Sequence, residues 1–336
     1  MKIAIIGGGN VGRVLSVLLD TCGNQVKLVA SRKPRTISIG KHCMYNITGD
    51  FGRKSHLVQV VEKLEDLDSD NDIIFVCTKL FDAIDILKNV KNKIKKDGAI
   101  VTIQNMFWID RASIIIPPEN AVFACFDFTC MTSDCWTMVK NIDGIKLGII
   151  DKAAYGIMKK VADVLGKLTS VEIERDIVGF SVGRNILNIA ISLLGGVSGL
   201  NIGKILENKI GKRLFVKIIQ ESMDLFDSMN INIVPYNDQL NYYMFREETH
   251  KSKLYRKRMI KILRKNNYNV TSSILYDLQH NIKSEILVVV KSFIKHAQIR
   301  KIKISTIIKL YKMIIQISHN ERRVNNNVFN EFKHEL

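Results

Sequence analysis

Residues Ile3-Ala4-Ile5-Ile6-Gly7-Gly8-Gly9-Asn10-Val11-Gly12-Arg13 decide how this chain is read. The apolar run from Lys2 to Ile6 has the length and character of a buried strand, and it ends in glycines. From Asn10 to Leu19 the apolar positions Val11, Val14, Leu15, Leu18 and Leu19 follow helical spacing. A Gly7-x-Gly9-x-x-Gly12 turn therefore lies between a strand and a helix. In that setting Gly7 makes the tight turn, Gly9 leaves the backbone open to a pyrophosphate, and Gly12 lets the helix press on the strand. The uncommitted N–H groups at the helix start suit phosphate. Gly7, Gly9, Asn10, Val11 and Gly12 are thus the expected cofactor loop.

The second strand, Gln25–Ala30, ends in Ser31-Arg32-Lys33 without an acidic residue. A carboxylate there would grip a ribose 2′-hydroxyl, whereas an arginine pairs with a 2′-phosphate. The expected cofactor is NADP(H), with Arg32 the main contact and Ser31 or Lys33 assisting.

Downstream, strands are expected at Ile73–Cys77, Ala99–Ile103, Ala121–Phe128 and Ile145–Ile150. Helices are expected at Ala83–Lys96 and Lys152–Leu168, with a short strand at Val171–Glu174. Alternation of this kind makes an α/β fold, a doubly wound parallel sheet of Rossmann type. Beyond Asp176 the pattern is almost wholly helical, at about 176–194, 204–229, 236–266, 270–297 and 303–318. The expected organisation is a nucleotide-binding domain over 1–170, a helical substrate or dimerisation domain over 171–320, and a polar tail over 321–336.

Composition narrows the class. The 336 residues are 46% hydrophobic and 25% charged, as in ordinary globular proteins. No secretory signal precedes the first strand, and no apolar run of membrane-spanning length stands out. The six cysteines are too sparse for a disulfide scaffold, and Cys125, Cys130 and Cys135 read as reduced thiols without a metal. A cytoplasmic protein with no membrane partner is expected. Of the net charge of +17, residues 1–168 carry 23 basic against 18 acidic residues and residues 169–336 carry 27 against 15. The densest run, Lys251–Lys265, holds eight basic residues and reads as a solvated helix face, without a nucleic-acid partner.

Five blocks together resemble the ketopantoate reductase (2-dehydropantoate 2-reductase) family, over nearly the whole chain. They are the glycine loop, Val76-Cys77-Thr78-Lys79, Ile103-Gln104-Asn105, Arg184-x-x-x-Asn188, and Ser273-x-x-x-Asp277 with Glu285 eight residues on. The resemblance implies hydride transfer from NADPH to the keto carbon of a small 2-oxo acid, in a cleft between a nicotinamide domain and a helical domain. Residue by residue, it implies that Lys79 neighbours the cofactor and that Asn105 holds nicotinamide ribose or substrate. It implies that Asn188 and Ser273 hydrogen-bond the substrate, and that Arg184 and Glu285 are the catalytic pair. A homodimer is compatible with this reading. The chain departs from the pattern at Arg184, where the family carries a general-acid lysine. A guanidinium is a poor proton donor but can stabilise an oxyanion. Asn105-Met106-Phe107-Trp108 likewise replaces Asn-Gly-x-Gly. Two other readings stay open: an opine-type or other 2-oxo acid dehydrogenase of the same build, and a non-catalytic NADPH-binding sensor.

Overall fold

The computed structural model describes residues 1–30, 37–104, 108–133, 136–140, 142–235, 240–280 and 282–334. The expected contacts Ser31, Arg32, Lys33 and Asn105 lie outside them. The chain forms two compact units, Met1–Ile177 and Val178–Leu336.

The first unit is built on one sheet. Strand β1 (Lys2–Ile6) leads through the glycine turn into α1 (Asn10–Thr21), then β2 (Gln25–Val29). Three strands follow, β3 (Ser38–Ile39), β4 (His42–Gly49) and β5 (Lys54–Val61), and then β6 (Asn71–Val76), α2 (Leu80–Val90), β7 (Ile94–Thr102) and α3 (Trp108–Ile115). The unit continues with β8 (Ala121–Phe126), β9 (Thr129–Ser133), β10 (Trp136–Lys140), β11 (Ile145–Gly148), α4 (Tyr155–Leu165) and β12 (Val171–Ile173).

The order across the sheet is β12-β11-β8-β7-β6-β1-β2-β5-β4-β10-β9, with β3 on β4. From β8 to β5 every neighbour is parallel. This is the doubly wound arrangement the alternation implied. The chain moves outward from β1 to β2 and β5, then crosses back to β6 on the other side of β1. That reversal opens a crevice at the carboxyl ends of β1 and β6, where such folds bind ligands.

The sequence reading missed the β3–β5 region. In β4 the buried residues Cys43, Tyr45 and Ile47 alternate with half-buried ones, the period of a strand with one face on the core. Strands β9 and β10 were missed as well.

The second unit is helical: α5 (Ile177–Ser198), α6 (Ile202–Glu207), α7 (Lys209–Ser228), α8 (Tyr243–Arg246), α9 (His250–Asn266), α10 (Ser273–Gln279), α11 (Glu285–Arg300) and α12 (Ser305–Ser318). Three expected helices are each divided. At 207–209 the break is made by Asn208, whose side chain accepts from the N–H groups of Ile210 and Gly211 and so starts α7. Helix α5 is long and apolar enough to cross a membrane, contrary to the sequence reading, but 78% of that stretch is buried within the fold. It is a core helix. Phe226 of α7 meets Phe293 of α11 edge to face at 5.6 Å, and both are fully buried. Each such ring contributes roughly 1.5–3 kcal/mol by leaving water.

The segment expected to be a polar tail is anchored. Val328, Phe329 and Phe332 are each 1% exposed. Their spacing puts three apolar side chains on one side of a short helical turn, and that burial outweighs the polarity of their neighbours.

Candidate active site

The glycine corner of the first unit is made by two close approaches and two backbone hydrogen bonds. Gly7 has φ +116°, and a Cβ there would lie 2.9 Å from the Cys77 carbonyl carbon and the Thr78 nitrogen. Only glycine adopts that conformation at low cost. The Gly7 N–H donates to Val29 on β2 at 3.0 Å, and the Cys77 N–H donates to Ile6 at 2.7 Å. The turn is thus fastened to the ends of both neighbouring strands. A Cβ on Gly12 would fall 1.9 Å from the Gly7 carbonyl oxygen, which shows how closely α1 presses on the turn.

Gly9 differs, since nothing lies within 4 Å of where its Cβ would be. It caps α1 without a side-chain bond, and the first turn of α1 has no acidic residue. Unpaired N–H groups and the positive end of the helix dipole therefore face an open surface. These features fit a dinucleotide pyrophosphate, which the backbone of Gly9, Asn10 and Val11 would hold. The Asn10 side chain is otherwise engaged. Its Nδ2 donates to the Cys130 carbonyl at 3.1 Å and its Oδ1 accepts from Thr132 at 2.7 Å, which ties α1 to β9.

Two residues at this corner were not singled out from the sequence. Arg13 donates through Nε to the Gly8 carbonyl at 2.9 Å, and its guanidinium lies 5.7 Å from the Tyr45 ring centre. Burial pushes the Tyr45 hydroxyl up to about 12, helped by Cys43 and opposed by Arg13. A fixed cation therefore stands beside the glycine loop. Gln104 is buried and donates to the carbonyls of Val76 at 2.8 Å and Thr78 at 2.9 Å. It holds the loop that carries Lys79, which is exposed at the start of α2. The Thr78 hydroxyl in that loop is buried with no hydrogen-bond partner. A signal for both residues was present, since each lies within or next to a quoted block.

In the second unit, Arg184 and Asn188 are half-buried one turn apart on α5, so they share a face. The helix is fixed beside them, because the buried Tyr242 hydroxyl donates to the Gly183 carbonyl at 2.5 Å. Helix α10 docks farther along. A Cβ on Gly195 would sit 2.7 Å from Ser272 Cβ, and one on Gly196 would sit 3.0 Å from Ile274.

Ser273 is exposed at the first position of α10, and Asp277 is half-buried one turn on. The buried serine is its neighbour Ser272, whose hydroxyl has no partner. Glu285 is the first residue of α11, where the helix dipole favours a negative side chain. The Ser273–Glu285 block was expected on one helix with its lead-in, but it spans the starts of two.

Comparison with known proteins bears on both units. Residues 3–149 match the family model Ketopantoate reductase PanE/ApbA, and residues 181–318 match Ketopantoate reductase PanE/ApbA C terminal. The chain belongs to the ketopantoate reductase family.

A 2-dehydropantoate 2-reductase of Aquifex aeolicus is 22% identical over 236 residues, 69% of this chain and 74% of that protein. The PanE/ApbA family ketopantoate reductase of Ralstonia eutropha has the same fold at TM-score 0.78 and 16% identity, covering 96% of this chain and 100% of that one. A D-mandelate dehydrogenase solved with NADH and anilino(oxo)acetate aligns at TM-score 0.77 and 15% identity, over 95% and 99% of the two chains.

Proposed function

We propose that this chain is an NADPH-dependent reductase of a small 2-oxo acid. The observation that carries the reading is the corner at Gly9, open and uncapped, in a chain whose two units match both domains of a reductase family. When bound, the reduced nicotinamide supplies the hydride that converts the keto carbon to an alcohol.

The backbone of Gly9, Asn10 and Val11 holds the pyrophosphate, and Arg32, with Ser31, pairs with the 2′-phosphate. Arg13 adds a cation to the same corner. Lys79 neighbours the cofactor, and Asn105 holds the nicotinamide ribose or the substrate. Arg184 grips the substrate carboxylate through two parallel N–H bonds or stabilises the developing alkoxide. Asn188 and Ser273 hydrogen-bond the substrate and fix the orientation of its carbonyl. Glu285, a carboxylate at a helix start, accepts hydrogen bonds and orients the water whose proton completes the alcohol. Orientation and oxyanion stabilisation supply most of the acceleration.

The substrate class extends beyond ketopantoate. The D-mandelate dehydrogenase likeness and the Phe107-Trp108 pair both favour a bulky 2-oxo acid. The test is NADPH consumption with branched and aromatic 2-oxo acids, ketopantoate and phenylglyoxylate among them. Turnover of at least one supports the reading. Tight NADPH binding without turnover of any moves the assignment to a sensor.

A further inference from the structure

The second unit contains a groove of about 750 Å³ between α7 and α9 that the proposed reaction does not use. On α9 its lining runs Arg256, Lys257, Ile260, Lys261, Arg264, a single helix face. Helix α7 repeats the same spacing from Lys212 through Val216 and Lys217 to Gln220. The two stripes match in kind as well as spacing: cations on the shoulders and one apolar residue, Val216 or Ile260, between them. Leu206 of α6 adds to the apolar part.

Seven of the twelve lining residues are basic and one, Glu248, is acidic. That carboxylate is engaged by Arg256 Nη1 at 3.0 Å. Arg256 is buried and also donates to the Phe245 carbonyl at 2.7 Å, so one cation of the groove is rigidly placed. Among the described residues, no carboxylate lies within 4.0 Å of the amines of Lys212, Lys217, Lys257 or Lys261. So many like charges around one concavity repel each other, and an anion placed among them relieves that repulsion.

The shape selects the class of anion. A second copy docking through the same patch would set cations against cations. A lipid surface is broad, whereas this site is a trough. Single-stranded nucleic acid is held by stacking on aromatic rings, and no aromatic residue lines the groove among the described residues.

We propose that the groove binds a small molecule carrying two or more phosphate groups. Its phosphates lie on Lys212, Lys217, Lys257 and Lys261, and any organic part rests on Val216 and Ile260. Inorganic polyphosphate and nucleoside polyphosphates share this chemistry.

Calorimetric titration of the full chain with tripolyphosphate and with ATP tests the assignment. Three variants separate the groove from the glycine corner. Lys257→Glu/Lys261→Glu reverses two exposed charges on α9, and Lys212→Glu/Lys217→Glu does the same on α7. Gly9→Asp places a negative charge in the cofactor loop, where the side chain has room. The expected result is binding weakened by about tenfold or more in both groove variants and retained in Gly9→Asp. ATP binding tighter than tripolyphosphate identifies a nucleoside source, and equal affinities identify the phosphate chain alone. The proposal is overturned if neither probe binds. It is equally overturned if binding is lost only in Gly9→Asp, or if a single-stranded oligonucleotide binds where both small phosphates do not. Unchanged melting temperatures of the groove variants serve as the folding control.

Discussion

Glu221 of α7 accepts the Thr306 N–H through Oε1 at 3.0 Å, and its other oxygen accepts the Ile307 N–H at the same distance. A buried side chain from one helix thereby caps the start of another, α12, which has no side-chain cap of its own. Charge-assisted bonds at a helix start are among the stronger ones. Glu221→Ala leaves two buried N–H groups unpaired and should cost about 2–4 kcal/mol. Glu221→Gln keeps one acceptor and should cost less. Urea unfolding of both variants beside the parent chain measures the losses, and stabilities equal to the parent's would show that the cap contributes little.

The glycine corner predicts a contrast in stability between two small substitutions. Gly12→Ala places a methyl 1.9 Å from a backbone oxygen that cannot move without the turn moving. It should lower stability by roughly 1–3 kcal/mol, as overpacking does. Gly9→Ala meets nothing, so its melting temperature should stay near that of the parent protein. Thermal unfolding followed by circular dichroism distinguishes them.

How much of this could be read from the sequence depends on what each signal encodes. The strand–glycine–helix start was legible because a short apolar run, a 3.6-residue period and three spaced glycines follow one another in Ile3–Leu19. The breaks before Lys209 and before Glu285 were not, because apolar spacing runs across both while the interruption is made by local bonds such as those of Asn208. Ser272 and Ser273 illustrate a finer limit: the sequence offers two adjacent serines, and only packing against Gly195 decides which is buried. Lys251–Lys265 was visible as charge. That its face meets a stripe of the same spacing on α7 depends on tertiary placement, which composition does not carry.

Acid should loosen the first unit through Asp72. Burial raises its pKa, but the Lys95 amine at 2.6 Å and the Lys2 N–H at 2.8 Å outweigh that and hold it below the ordinary value of 3.8. A carboxylate lowered on folding contributes stability that is fully present above its unfolded value and is lost as pH falls through the folded one. Asp72→Asn should therefore be less stable than the parent at neutral pH. The gap should close as pH falls below the ordinary value of 3.8 and through the lower folded one. Denaturation at several pH values checks the sign, and a gap that widened in acid would refute it.

Arg184 makes its own prediction. If the guanidinium grips the substrate as a fork, Arg184→Lys keeps the charge but loses the second parallel bond. Its KM should rise with kcat less affected, and Arg184→Ala should lower kcat/KM by about a hundredfold. Steady-state kinetics with the best 2-oxo acid of the panel decide this. An unchanged KM in both variants would place Arg184 outside the substrate site.

Most direct of all is a fluorescence titration of the parent chain and of Gly9→Asp with NADPH and NADH. The account predicts micromolar binding of NADPH, about tenfold weaker binding of NADH, and loss of both in Gly9→Asp. No binding of either cofactor by the parent chain, or undiminished binding by Gly9→Asp, would contradict it.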